Sequence, residues 1–275
     1  MALIRGLRRC GTAPDFRYPS AVPAGLQLCY TDAYLRRTPA TVVRILASDS
    51  DGPPSIELDR TVFYPGGGGQ PSDTGTLERP SDGASWIVRS ARKVDGEIVH
   101  ELAISGAFDA TSLPAIGDEL VAEIDWDRRH LLMRTHTALH ILCGVVWRDY
   151  GAQVTGGNME AGAGRMDFEF ERMSGELVDE IEGRVNAEIE AARDIRVNLL
   201  PRDEAFAIPD LIRTKINLLP PGIPEVRTIE IVGLDLQADG GTHVANTREL
   251  GRVRVQGYES KGRINKRIRI AVEDA

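Results

Sequence analysis

The chain predicts an α+β fold. A small β-barrel-like domain is expected over residues 28–126, followed over residues 127–275 by a domain with an antiparallel sheet and two long helices. Three observations lead there. Apolar residues recur at period two, between turn signals, through the first block, the habit of short strands closing into a barrel or sandwich. Two later segments switch to helical periodicity. The strands around those helices do not alternate with them as β-α-β units, which favours antiparallel pairing.

Residues 1–27 stand apart, with Arg5, Arg8, Arg9 and Arg17 against one acid, Asp15. They read as an extension outside the fold, or as a transit peptide. The strand candidates of the first block are TVVRILAS, SIELDRTVFY, WIVRSARKV, EIVHEL and ELVAEID. Asp95-Gly96, between two of them, is a strong hairpin signal because both corner residues tolerate positive φ. The glycine-rich FYPGGGGQPSDTG, Phe63 to Gly75, lies within this block. DRRHLLMRTHTALHILCGVVWRDYG follows as a helix, with Asp127 as N-cap and Gly151 as the residue that ends it. A second helix runs from the N-cap Ser174 to about Arg193, where Leu177, Ile181, Val185 and Ile189 form one apolar stripe. GRMDFEF, RVNLL, EVRTIEIVGLDLQ, RVRVQGYES and GRINKRIRIAVE supply the later strands, and LLPPGIP a loop.

The bulk numbers narrow the function. Hydrophobic content of 42% and charged content of 27% are those of a globular protein, and no apolar run approaches the roughly 20 residues of a membrane span. Three scattered cysteines do not form a disulfide framework and fit a reducing compartment. A cytoplasmic location is expected, or a mitochondrial one if the first residues are a transit peptide. The net charge of −8 argues against indiscriminate coating of nucleic acid. It leaves room for a local patch, and Arg252, Arg254, Lys261, Arg263, Lys266, Arg267 and Arg269 near the C-terminus stand against one acid, Glu259. Those residues are either a phosphate-binding strip or a solvated hairpin.

Chemistry concentrates in two short motifs. His136 and His140 in HTALH are four apart, so on a helix they share one face and can reach one ion. Position 137 is Thr, where a metallopeptidase would need Glu, so that reaction is set aside. Asp239 and His243 in DGGTH are also four apart, and far downstream. Together the two pairs offer four N and O donors, the number zinc commonly takes. Three of the chain's five histidines lie in these pairs; His100 and His130 are read as structural. Cys143 falls near the same helical face, but too far along the axis to converge, and is read as a buried hydrophobe. Gly66 to Gly69 lack the Lys-Ser/Thr of a P-loop. They suit close approach by another backbone or by a nucleic-acid terminus.

FYPGGGGQPSDTG, RTHTALHIL, GRMDFEF and DGGTHVANTRELG occur in the order found in the editing domains of alanyl-tRNA synthetases. With no synthetase core beside them, the chain resembles the freestanding alanyl-tRNA editing proteins, the AlaX family, over residues 28–272. The resemblance implies a barrel-like domain carrying the glycine motif and an α+β editing domain holding one zinc ion. It implies hydrolysis of the ester that joins serine or glycine to tRNA(Ala), with His136, His140, Asp239 and His243 as ligands and catalytic residues. One departure stands out, since the family's usual residue at the place of Asp239 is cysteine. Asp239 is then either a harder fourth ligand or a neighbour of a three-histidine site. The resemblance further points to Thr155, with Gly67, Gly68, Gly69 and Gln70, as substrate contacts, and gives Lys261, Arg263, Lys266 and Arg267 a purpose in tRNA binding. Zinc chemistry agrees, because the ion polarises carbonyls and lowers the pKa of water to about 7. The alternatives are a non-catalytic tRNA-binding protein with a degenerate metal site and a metallohydrolase of another acyl ester. A monomer and a homodimer are equally compatible with the sequence.

Overall fold

The computed structural model describes residues 26–46, 53–103, 113–213, 219 and 222–274. Residues 1–25 lie outside the described residues, as do Leu218, Pro220 and Pro221 of LLPPGIP. The fold is α+β with antiparallel sheets, as expected. The first strands are β1 (Leu26–Gln27), β2 (Arg37–Leu46), β3 (Ser55–Leu58), β4 (Arg60–Thr61), β5 (Gly75–Arg79), β6 (Ala84–Val94), β7 (Glu97–Leu102) and β8 (Glu119–Ile124). Six of them close a barrel in the order β2-β3-β7-β6-β5-β8. The alternating inward residues Val42, Ile56, Leu77, Val88, Leu102 and Leu120 fill it. Closure leaves this barrel without edge strands to protect. Asp95 (φ 53°) and Gly96 (φ 93°) make the β6–β7 turn with positive φ at both corners. SIELDRTVFY is not one strand; it breaks at Asp59, and β4 pairs in parallel with β1 instead.

The long helix α1 (Trp126–Tyr150) starts two residues earlier than expected. Its N-cap is Asp125, not Asp127, and the Asp125 side chain accepts from the Arg128 amide at 3.1 Å. Asp127 sits in the first turn, where a carboxylate complements the helix dipole. Gly151, at φ 63°, ends the helix as expected. After β9 (Val154–Glu160) and β10 (Ala163–Glu169) comes α2 (Gly175–Glu190), capped by Ser174. β11 (Ile195–Pro201), α3 (Arg202–Ala207), β12 (Glu225–Ile231), β13 (Asp235–Ala238), β14 (Arg252–Ser260) and β15 (Asn265–Glu273) complete the order. β14-β15-β10-β9 form one antiparallel sheet and β11-β12-β13 another. α1 is buried along most of its length, and its Leu132, Leu139, Leu142 and Val146 join Val185, Ile189, Phe168 and Ile268 in a second core. Cys143 lies in that core at 2% exposure, with burial pushing its thiol pKa up.

One ion pair ties the two parts together. Arg129 of α1 and Asp73 of the glycine-rich segment are both fully buried and directly paired. Arg129 also donates to the Val62 carbonyl at 2.7 Å and the Ala33 carbonyl at 2.9 Å. Asp73 in turn accepts from the Tyr64 amide at 2.6 Å. The start and end of the glycine-rich segment are thereby both fastened to the metal-motif helix.

His100 belongs to the barrel. It sits in β7, fully buried, with Nδ1 3.2 Å from the Ile56 carbonyl and Nε2 2.7 Å from the Thr61 hydroxyl. Burial lowers its pKa from 6.5 to about 4. The unfolded chain therefore takes up this proton near pH 6.5 while the folded protein resists it. Stability is complete above that range and falls as the pH drops from 6.5 toward 4, by roughly 3 kcal/mol at the lower end. His100→Gln, which cannot titrate, should show a shallower acid limb in urea titrations at pH 7 and pH 4.5. Equal slopes for both proteins would contradict this account.

Candidate metal centre

Two elements bring four donors together. His136 and His140 come from the middle of α1, where their spacing stacks them on one face. Asp239 and His243 come from the turn that leaves β13. One ligating atom from each of the four lies within 4.8 Å of all the others. The three imidazole centroids are 4.4 to 4.9 Å apart. Asp239 Oδ1 is 3.7 Å from His136 Nε2 and 3.9 Å from His140 Nε2, and Oδ2 is 3.0 Å from His243 Nε2. Zinc bonds of ~2.0–2.1 Å in a tetrahedron put ligands about 3.3 Å apart. The three Asp–His separations bracket that value, so the donor set and its spacing fit the ion.

The electrostatics suit ligation. Burial lowers the His136 pKa to about 4, and lowers that of His243 well below its ordinary value, so both rings are neutral near pH 7. Burial alone would raise Asp239. The imidazoles around it, with a hydrogen bond from His243, hold it well below the usual carboxylate range instead. Neutral imidazoles beside an ionised carboxylate are the protonation states a cation requires.

The ligands are held from outside. Gln70 is 2% exposed. Its Oε1 lies 2.9 Å from His136 Nδ1 and accepts the Thr242 amide at 3.0 Å, and its Nε2 donates to the Thr242 hydroxyl at 2.8 Å. Because Oε1 can only accept, His136 carries its proton on Nδ1 and leaves Nε2 free. The Thr137 hydroxyl oxygen is 3.1 Å from His243 Nδ1 and accepts the Val244 amide at 3.3 Å. Gly241 donates to Asp239 Oδ2 at 2.6 Å. A Cβ at Gly241 would overlap the His136 ring and press on Gln70 Oε1. Arg227, opposite β11 in β12, donates to the carbonyls of Asp239 and Tyr30, each at 2.9 Å.

A profile described as "Threonyl and Alanyl tRNA synthetase second additional domain" matches residues 226–269, the stretch that contains Asp239 and His243. The chain is 37% identical to alanyl-tRNA editing protein AlaX-M of Methanosarcina mazei over 90% of its own length and 96% of the relative's. It is 35% identical to the AlaX-M protein of Saccharolobus solfataricus over 90% and 98%. The chain belongs to the alanyl-tRNA editing protein family. It is also 35% identical to the alanine–tRNA ligase of Pyrobaculum aerophilum, over 86% of this chain but 26% of the ligase.

The remaining residues singled out in this family member fall in different places. The glycine run sits at the centre, with Gly66 to Gly69 all at positive φ. Gly67 and Gln70 exchange both backbone hydrogen bonds, so Gly68-Gly69 form a two-residue corner. A Cβ on Gly68 would stand 3.7 Å from Asp239 Oδ1. The loop thus leaves bare backbone against the donors, which side chains at these φ values would not allow. Gln70, expected as a substrate contact, sets its amide against His136 and Thr242. Thr155 likewise gives its hydroxyl to Asn265 Oδ1 at 2.9 Å, and no hydrogen bond joins it to the four donors.

In the C-terminal hairpin acids and carbonyls meet several of the cations. Lys266 is 6% exposed and its Nζ donates to the Gly262 and Arg263 carbonyls, holding the turn. Arg267 forms a bidentate pair with Asp167, and Lys261 and Arg269 both pair with Glu259. Of the four residues expected to meet phosphate, Arg263 and Lys266 have no acid partner among the described residues. The expectation counted local charge, and Asp167 reaches the hairpin from β10, a partner invisible in the local sequence.

Gln70, Thr137 and Arg227 are the supporting residues that sequence reading assigned otherwise or passed over. For Thr137 a signal existed, since its position between the two histidines turns it toward whatever they face. Gln70→Ala and Thr137→Val should each weaken cation affinity by about 10–100-fold, the usual cost of losing a ligand's outer hydrogen bond. Thr137→Ser should recover most of it. Cobalt(II) titration followed by its visible absorption measures this, and unaltered dissociation constants in both variants would remove the supporting role.

Proposed function

We propose that this protein is a trans-acting, zinc-dependent deacylase that removes serine, and also glycine, from mischarged tRNA(Ala). The single observation that carries the reading is the convergence of His136, His140, Asp239 and His243 donors within 4.8 Å. Membership of the alanyl-tRNA editing family supports the substrate class.

His136, His140 and His243 would hold one zinc ion, with Asp239 as the fourth donor through Oδ1. When bound, zinc supplies Lewis-acid polarisation of the ester carbonyl and of water. The chain's own residues do the rest. Gln70 and Thr137 fix the outward nitrogens of two imidazoles, and the Gly241 amide ties down Asp239 Oδ2. The bare backbone at Gly68 leaves space beside Asp239 for the aminoacyl end of a tRNA. Serine exceeds alanine by one hydroxyl, so this second site gains selectivity from a polar group that alanine would leave unpaired. An aminoacyl ester is already activated, and no additional nucleophile is required.

The test is deacylation of seryl-, glycyl- and alanyl-tRNA(Ala), with metal content measured on the same preparation. One zinc per chain, turnover of the first two and inhibition by chelator are expected. Retained tRNA binding with no metal and no turnover would establish the non-catalytic alternative. Turnover of free amino-acid esters with indifference to tRNA would establish the other.

A further inference from the structure

Apart from the C-terminal hairpin, β6 carries a second group of exposed cations. Arg89, Arg92 and Lys93 are exposed and make no ion pair among the described residues. Their placement is particular. β5 pairs with β6 only from Ala84 to Val88, and beyond Ser90 β6 pairs with β7 alone. The end of the β6–β7 hairpin is therefore an arm that runs past β5. The tip carries Asp95 and Glu97, and neither forms an ion pair with the three cations.

This arm reaches the metal centre through Tyr30. Lys93 Nζ lies 5.9 Å from the centre of the Tyr30 ring. The buried Arg227 guanidinium lies 5.2 Å from the same ring and donates to the Tyr30 and Asp239 carbonyls. A Cβ on Gly240, next to Asp239, would stand 3.4 Å from the Tyr30 hydroxyl. Tyr30 is partly exposed, so an aromatic surface beside the donors carries an unpaired ammonium on its solvent side. An aromatic face with an exposed cation is an arrangement that holds single-stranded nucleic acid, base on ring and phosphate on ammonium.

We propose that the β6–β7 arm and Tyr30 form the docking surface for the single-stranded 3′ end of an RNA, with Lys93 on a phosphate next to the terminal nucleotide and Tyr30 against its base. This rests on the deacylase reading for the identity of the RNA. The contacts are to phosphate and to a base face, so they position the chain end without reading sequence.

The experiment measures equilibrium binding of uncharged tRNA(Ala) and of the same tRNA lacking its three 3′-terminal nucleotides, across a salt series. Lys93→Ala should raise Kd for intact tRNA about fivefold at ~0.1 M salt and reduce the salt slope by about 0.7, the share of one single-strand phosphate contact. Lys93→Glu should exceed that. Both losses should vanish with the truncated tRNA. Lys93 is exposed, so folding should be unaffected, which circular dichroism checks. Wild-type affinity in both Lys93 variants, or an equal loss with intact and truncated RNA, would overturn the proposal. Failure of the wild type to deacylate seryl-tRNA(Ala) would count against the deacylase reading alone, because this comparison uses uncharged RNA.

Discussion

On the proposed zinc-deacylase reading, His136→Ala and His243→Ala are each expected to abolish metal binding and to cost about a thousandfold in kcat/KM for seryl-tRNA(Ala). The size follows from removing Lewis-acid stabilisation worth several kcal/mol at the transition state. Either substitution leaves three donors and a space where a neutral imidazole stood, so cation affinity falls before the chemistry is reached. The rings are 4.4 Å apart, and both are nearly buried, so neither can be replaced by a neighbouring side chain swinging in. Metal content by mass spectrometry and single-turnover deacylation give the two readouts. Near-wild-type deacylation by both variants would end the metal-centred account.

The second large effect is on stability. Asp73→Ala leaves the fully buried Arg129 guanidinium without its carboxylate, and should cost about 3–5 kcal/mol in urea unfolding. Removing both charges with Asp73→Leu and Arg129→Leu together should recover part of that loss, since an uncompensated buried charge is worse than none. A single variant no less stable than the double would mean the pair is not the clamp described. Function should follow. Asp73 fastens the Tyr64 amide and so sets the glycine loop that carries Gln70 to His136. Cation affinity in Asp73→Ala should therefore drop even at temperatures where the protein remains folded.

Much of the centre was legible before any coordinates. Spacing of four on a helix put His136 and His140 on one face, and a second pair at the same spacing completed a donor set zinc accepts. Turn chemistry at Asp95-Gly96 and the caps Ser174 and Gly151 were legible because they depend on backbone conformation within a few residues. What one segment could not show were the remote partners of its residues. The Gln70 amide meets His136 and Thr242, which lie far along the chain. Lys266 meets backbone carbonyls and Arg267 meets Asp167. β5 and β9 went unread as strands because their glycines and short length blur period two; their places are set by pairing with β8 and β10.

The sequence by itself determined the fold class, the family resemblance and the four donors, because periodicity, capping and ligand spacing are properties of one segment at a time. Only the tertiary structure decided which nitrogen of His136 faces the centre, how the glycine loop meets Asp239, and which cations lack an acid partner among the described residues. Those depend on hydrogen bonds and ion pairs between distant segments, and a buried or paired charge looks the same in one dimension as an exposed one.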